Sequence, residues 1–322
     1  MTRAERVRAG LAGALILCLA GAAGADLAPH ALLDRLNEAV RQLDYEGRFV
    51  VQSGDRMDAM YIVHRASGGA ENERVVTLTG TPREIIRNGQ ALCLVSGSDK
   101  RVNVGRRAHD RSFSPLRGVS AEELLGTYEM RLLEPGRVAG RSAHQILVAP
   151  RDDLRFGYRL FLDKESALPL RSMMLDADGR VISQMMFVEL RVNEGITPIE
   201  KDVAVMELAK PDAMPPVSNV RLAPPAWDFG EIPPGFQMNV HRRRPLAAGG
   251  GEREHFIFSD GLASVSVYVQ PAVDGSELAG LSQLGSARAV GRALDGHEVV
   301  VVGEVPVKTL EWFAQSIRAA AR

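Results

Sequence analysis

The sequence predicts an α+β chain: a large antiparallel sheet curved round a helix, then a smaller antiparallel β domain with a terminal helix. Three observations predict it. Short strand-like runs succeed one another on short turns, a helical apolar period occurs near each end of the exported chain, and prolines gather between two halves.

A length of 322 residues suits two domains, and 45% hydrophobic with 25% charged residues is ordinary globular composition. Lys+Arg 39 against Asp+Glu 40 leaves a net charge of −1, so no basic field points to nucleic acid. Aromatics at 5% offer little for base stacking.

Arg3, Arg6 and Arg8 precede an uncharged run, and Ala23-Gly24-Ala25 supplies small residues before Asp26. Residues 1–25 therefore read as a Sec-type signal peptide cut after Ala25, with an apolar core too short for a stable membrane span. An uncleaved anchor is the rival. Leu15-Ile16-Leu17-Cys18 resembles a lipobox but has Leu17 where a small residue belongs. The exported chain carries 36 basic and 39 acidic groups, and Cys93 is its sole cysteine, so its core must hold it together without disulfides. Cys93 lies in an apolar run and reads as a buried small hydrophobe.

The large domain, 27–200, opens with a helix in which Leu32, Leu33, Leu36, Val40 and Leu43 share a face. Strands are predicted over Tyr45–Gln52, Ala59–Arg65, Arg74–Thr79, Arg83–Arg87 and Gln90–Val95. After a break come Tyr128–Leu133, Ala143–Val148, Tyr158–Asp163, Leu168–Leu175 and Val181–Leu190, with Asp176–Gly179 as a hairpin turn. A curved sheet with a helix across it makes a groove that is either a core or a site for an apolar ligand such as an acyl chain. Eight of 17 prolines fall from Pro198 to Pro234, which marks 201–224 as a linker behind a short helix around Glu200–Ala209. The small domain, 225–322, is predicted to hold strands at Gln237–Arg243, His255–Ser259, Ala263–Gln270, Ala287–Arg292 and His297–Val302. Pro306 then opens a helix with Val307, Leu310, Phe313, Ala314 and Ile317 on one face.

No metal, nucleophile-elbow or phosphate-loop motif is present, so no catalytic residue, cofactor or metal site is assigned. His144 and His255 read as satisfied strand residues. The adjacent pairs Asp152-Asp153 and Glu122-Glu123 cannot converge as acid and base and read as surface. Two basic clusters stand out. Arg101, Arg106, Arg107, Arg111 and Arg117 crowd one stretch with Lys100 and His109, opposed by Asp110 and followed by Phe113 and Leu116. His241 with Arg242, Arg243 and Arg244 forms the second. Solvated loop charge is the plain reading. The functional one is an anion site, with Arg forks engaging lipid phosphates or an acidic partner segment.

Tyr45-Glu-Gly-Arg-Phe-Val50, Gly80-Thr-Pro-Arg-Glu-Ile-Ile-Arg87, Gly136–Arg141, Pro150-Arg-Asp-Asp-Leu-Arg-Phe-Gly-Tyr158 and Leu168–Arg171 resemble the MucB/RseB family, in order. Ser259-Asp-Gly-Leu-Ala263 and Val302-Gly-Glu-Val-Pro306 extend the resemblance through the small domain. Phe156 replaces a usual Tyr, and Arg101–Arg117 has no family pattern to align. The resemblance implies a periplasmic negative regulator of an extracytoplasmic, sigma-E or AlgU-type sigma factor in the envelope stress response. Such a protein binds the periplasmic part of a transmembrane anti-sigma factor of the RseA/MucA type and shields it from regulated proteolysis, with lipid A or lipopolysaccharide triggering release. It also implies a lipoprotein-carrier-like half-barrel closed by helices for the large domain, with the small domain and linker holding the partner. On this reading Arg101, Arg106, Arg107, Arg111 and Arg117 are the lipid or anion candidates, and Arg242, Arg243 and Arg244 the partner candidates. A homo-oligomer is left open. The alternatives are a periplasmic lipoprotein carrier or envelope assembly factor, and, more remotely, a hydrolase with dispersed residues.

Overall fold

The computed structural model describes residues 28–67, 70–88, 91–96, 101–103, 115–199, 225–246, 251–272 and 280–320. The predicted signal peptide, the helix around Glu200–Ala209 and the linker 201–224 lie outside them.

Helix α1 (Pro29–Gln42) starts on a proline, whose fixed φ suits a first turn, and buries Leu32, Leu33, Leu36, Ala39 and Val40. Strands β1 (Tyr45–Ser53), β2 (Arg56–Ser67), β3 (Ala70–Thr77), β4 (Arg83–Asn88), β5 (Ala91–Ser96) and β6 (Arg101–Asn103) follow as a meander. A one-turn helix α2 (Ala121–Leu124) then precedes β7 (Tyr128–Val138), β8 (Arg141–Pro150), β9 (Gly157–Asp163), β10 (Pro169–Leu175) and β11 (Val181–Val192). The last strand returns to the first: β11 pairs antiparallel with β1, and one eleven-stranded sheet results, ordered β6-β5-β4-β3-β2-β1-β11-β10-β9-β8-β7.

That sheet is strongly curved. Helix α1 touches both β2 and β7, and β11 also meets β7. Six inter-strand steps separate β2 from β7, about 29 Å if flat, whereas a helix is only about 10–12 Å across. The two can share one helix only if the sheet curls round it. Gly47 helps the bend. A register shift falls between Arg48 and Phe49, and a Cβ on Gly47 would meet the Phe187 ring at 2.8 Å. The space beneath α1 is occupied by Leu32, Leu36, Tyr45, Phe49, Leu160 and Phe187, each no more than 1% exposed. The protein's own core fills it.

The second sheet comprises β13 (Gln237–Pro245), β14 (Glu252–Ser259), β15 (Ser264–Pro271), β16 (Gly280–Leu284), β17 (Ala287–Leu294) and β18 (His297–Gly303), ordered β13-β14-β15-β18-β17-β16. A separate pair joins β12 (Trp227–Phe229) to β19 (Ile317–Ala319). Alternation is clean in the central strands: Phe256, Phe258, Val265, Val267, Val269, Val299 and Val301 point to one buried face. Helix α3 (Val307–Ser316) covers it with Leu310 and Phe313, the latter ring 4.9 Å from that of Phe258. Ile317 corrects the expected helical face. Its extended backbone, φ −75° and ψ 138°, ends α3 at Ser316 and places the residue in β19 against Phe229.

Among the described residues no helix is long and apolar enough to cross a membrane, and no group of three or more His, Cys, Asp or Glu could hold a metal ion.

Candidate functional site: the seam and cavity between the two sheets

The two arginine clusters have different fates. Arg106, Arg107 and Arg111 lie outside the described residues, and Arg101 begins strand β6, where the backbone alone is described. Arg117 is committed internally. Its side chain is 8% exposed and donates to Glu73 at 3.1 Å and to Glu71 at 2.5 Å, with Glu73 itself 1% exposed. Burial disfavours the Arg117 charge, but Glu73 and its neighbours raise its pKa above the ordinary arginine value. A guanidinium held by two carboxylates has little left for an external anion.

Arg242, Arg243 and Arg244 are split by the strand pleat. Arg243 turns to Glu254, at 2.9 Å, beside the His241–Glu254 contact at 2.7 Å. Arg242 and Arg244 are exposed. Arg244 lies directly opposite Arg253, and Arg242 opposite His255. Like charges facing across a ladder oppose folding. His255 stacks on Tyr268 with ring centroids 4.1 Å apart and contacts the Ser266 hydroxyl at 3.1 Å. Burial, then the charges of Arg242, Arg244 and Arg253, pull its pKa down to about 4.

The seam between the sheets was not legible as a site. Arg155, in the β8–β9 connection, donates to Asp260 of the β14–β15 turn at 2.5 Å, and neither side chain is exposed. Tyr128 donates to the same carboxylate at 3.1 Å, and Arg155 also reaches the Pro234 carbonyl at 2.6 Å and Asp152 at 3.0 Å. Burial disfavours the Arg155 charge, yet Asp152 and Asp260 raise its pKa; burial and Asp260 push the Tyr128 phenol upward. Asp260 meanwhile accepts from the backbone N–H groups of Leu262 and Ala263, at 2.9 and 2.6 Å. The turn is thereby fixed so that Leu262, 1% exposed, enters the hydrophobic core of the large sheet.

Flanking contacts extend the seam. Thr309 donates to the Leu154 carbonyl at 2.6 Å, Lys308 pairs with Asp153, and Ser286 N–H donates to the Ser53 hydroxyl at 2.8 Å. The Asp152-Asp153 pair, read from sequence as surface, thus divides its carboxylates between Arg155 and Lys308. Gly235, with φ +83°, sits where a Cβ would meet Thr127 Cγ2 at 2.5 Å.

Between the sheets lies a cavity of about 480 Å³. Val51, Tyr158, Ser172, Met174 and Met185 form its large-sheet wall; Leu262, Ser264, Ser266, Ala287 and Val302 line the other side. Among the described residues Glu304 is the one formally charged side chain in the lining, and it accepts a hydrogen bond from Ser286.

Comparison with known proteins places both halves. The family model of the MucB/RseB N-terminal domain matches residues 28–215, and that of the MucB/RseB C-terminal domain matches 221–318. The chain belongs to the MucB/RseB family. Within it, the chain is 33% identical over 303 residues to the sigma factor AlgU regulatory protein MucB of Pseudomonas aeruginosa, covering 90% of each. It is 27% identical over 303 residues to the sigma-E factor regulatory protein RseB of Escherichia coli K12, covering 93% of each. The solved complex of Pseudomonas aeruginosa MucA and MucB superposes with a TM-score of 0.71 at 30% identity, covering 91% of this chain and 99% of that one. A crystal structure of MucB with MucA(peri) gives 0.69 at 30% identity, covering 92% and 100%. These MucB/RseB relatives carry the names of regulatory proteins. Two stretches that carry the family resemblance, Pro150–Tyr158 and Ser259–Ala263, are the ones that meet at Arg155 and Asp260.

Proposed function

We propose that this chain is a periplasmic negative regulator of an extracytoplasmic sigma factor. It is exported by residues 1–25 and binds the periplasmic segment of a membrane-spanning anti-sigma factor of the RseA/MucA type. One observation carries the reading: likeness to MucB, solved with MucA, extends through both domains rather than through one shared fold unit.

Binding would cover the segment and keep it from regulated proteolysis. Arg242 and Arg244, both exposed and with Arg244 directly opposite Arg253, suit an acidic stretch of such a partner. Arg243 would act through Glu254, holding the strand pair in place. Lipid A or lipopolysaccharide phosphates would meet the Arg101, Arg106, Arg107 and Arg111 stretch. Linkage then requires that a lipid which weakens the partner be weakened by it to the same degree.

The test is titration of the mature protein with the periplasmic segment of the anti-sigma factor encoded beside it, at low and moderate salt. Saturable binding that slows proteolysis of the segment is expected. Absence of binding at both salt levels would remove the assignment.

A further inference from the structure

Strands β9 and β10 turn Tyr158, Leu160, Leu162 and Met174 into the core. The pleat therefore sends Arg159, Phe161 and Arg171 to the opposite, outer face of the large sheet. Arg171 lies directly across from Phe161, and its guanidinium sits 5.6 Å from the centroid of that ring. Arg159, two residues before Phe161, is the diagonal neighbour of Arg171, a relationship that spans about 7–8 Å.

These two arginines lack what other half-buried or buried arginines of the large domain have. Arg117, Arg141 and Arg155 each meet a carboxylate at 3.1 Å or less. Among the described residues neither Arg159 nor Arg171 forms a salt bridge. Acids on the same face are already paired, Glu129 with Arg131 at 3.6 Å and Asp163 with Arg141 at 2.8 Å. The Arg159 Nε is buried with no hydrogen-bond partner. Arg171 directs Nε and Nη2 to the Gln184 Oε1, at 3.1 and 2.6 Å, and Gln184 in turn donates to Gln52 at 2.7 Å. That chain fixes the Arg171 fork without neutralising it. Burial, then the charge of Arg159, lowers the Arg171 pKa. Beside them lie Leu147 and Met173, which face Arg159 from either side, with Met173 8% exposed. Two like charges thus share apolar surroundings, where an opposite charge is attracted more strongly than in water.

We propose that Arg159 and Arg171 bind one tetrahedral oxyanion, a phosphate or phosphomonoester dianion, on the outer face of the large sheet. A doubly charged group offsets both guanidiniums, and its oxygens accept from Arg159 and from Arg171 Nη1, which Gln184 does not engage. A monocarboxylate brings half that charge. The site faces away from the seam cavity, to which Tyr158, Ser172 and Met174 contribute, and it uses none of the arginines of the two clusters. It stands apart from the regulatory reading, since its test needs no anti-sigma segment.

The experiment is isothermal titration of the full mature chain with sodium phosphate, glycerol 1-phosphate or sodium acetate at constant ionic strength, at about pH 8, where a phosphomonoester is doubly charged. One saturable phosphate site is expected, at least tenfold tighter than for acetate. Arg159→Gln and, separately, Arg171→Gln are each expected to weaken phosphate at least tenfold. Arg159→Gln also separates ligand binding from a structural role. With no salt bridge or hydrogen bond to lose, it should keep or raise the melting temperature measured without phosphate, because repulsion of Arg171 is relieved. Circular dichroism checks folding, and if Arg171→Gln fails to fold, Arg159→Gln decides. Sedimentation with phosphatidylcholine vesicles containing phosphatidic acid separates the two sources of phosphate. Binding of the soluble phosphates alone assigns a free ligand; binding of the vesicles alone, lost in Arg159→Gln, assigns a lipid headgroup. No saturable binding of phosphate in either form, unchanged affinity in folded Arg159→Gln, or a fall in its phosphate-free melting temperature overturns the site. Equal affinity for acetate overturns its preference for a dianion.

Discussion

Arg155 and Asp260, 105 residues apart, form an ion pair at 2.5 Å with neither side chain exposed, one from each domain. A pair so placed adds little net stability over an apolar contact, but breaking it leaves a stranded charge. Arg155→Met is therefore expected to destabilise the protein by about 3–5 kcal/mol in denaturant unfolding. Adding Asp260→Asn should recover part of that loss. Asparagine can still accept from Leu262 and Ala263 N–H while removing the unmatched charge. Equal stability of the single and double variants would mean that the pair does not hold the seam.

Arg117 gives a similar prediction inside the large domain. Arg117→Met leaves Glu73, 1% exposed, without its nearest cation, although Arg87 remains 3.9 Å away. A loss of about 3 kcal/mol is expected from thermal or denaturant unfolding, partly restored by Glu73→Gln. If instead stability is unchanged and lipid A affinity falls, Arg117 serves the external anion site after all.

Close approach at the seam can be separated from ordinary glycine strain. Gly235 and Gly296 both have positive φ, +83° and +72°, but only Gly235 faces a neighbour; nothing lies within 4 Å of a Cβ on Gly296. Alanine at either should cost about 1 kcal/mol for the left-handed backbone. Gly235→Ala should cost more, since Thr127 must move. Matching losses in melting temperature would contradict that packing.

His255 sets the sign of a pH dependence. Its folded pKa, about 4, lies below the ordinary histidine value, so the unfolded chain binds more protons between the two. Stability contributed by neutral His255 is present above about pH 6.5 and is lost as pH falls toward 4. Burial of His64 also lowers its pKa and acts in the same direction. His255→Gln should show a shallower fall in melting temperature from pH 7 to 4 than the parent chain. An unchanged slope would clear His255 of this role.

Much of the fold could be read from alternation, because nearly every long strand has one face in a core. The strand from Tyr158 to Asp163 and the valines of β15 and β18 are of that kind. Short or exposed strands had no such signal. In β16 all five residues are exposed, and β6, β12 and β19 have three residues each. Ile317 kept the helical period of α3 yet pairs as a strand, because contact with β12 outweighs propensity at a helix end. The seam was hidden for another reason. Nothing local in Pro150–Tyr158 announces that Arg155 will meet a carboxylate from another domain. Arg117 likewise looked like one of a loop's free charges until β3 brought Glu71 and Glu73 beside it.

The most direct test of the regulatory account is the affinity of the mature chain for the periplasmic segment of its anti-sigma factor, measured beside an Arg242→Glu/Arg244→Glu variant across a salt series. The account predicts saturable binding by the parent chain, weakened roughly tenfold in the variant and with a shallower salt dependence. No binding by the folded parent chain at low and moderate salt would contradict it.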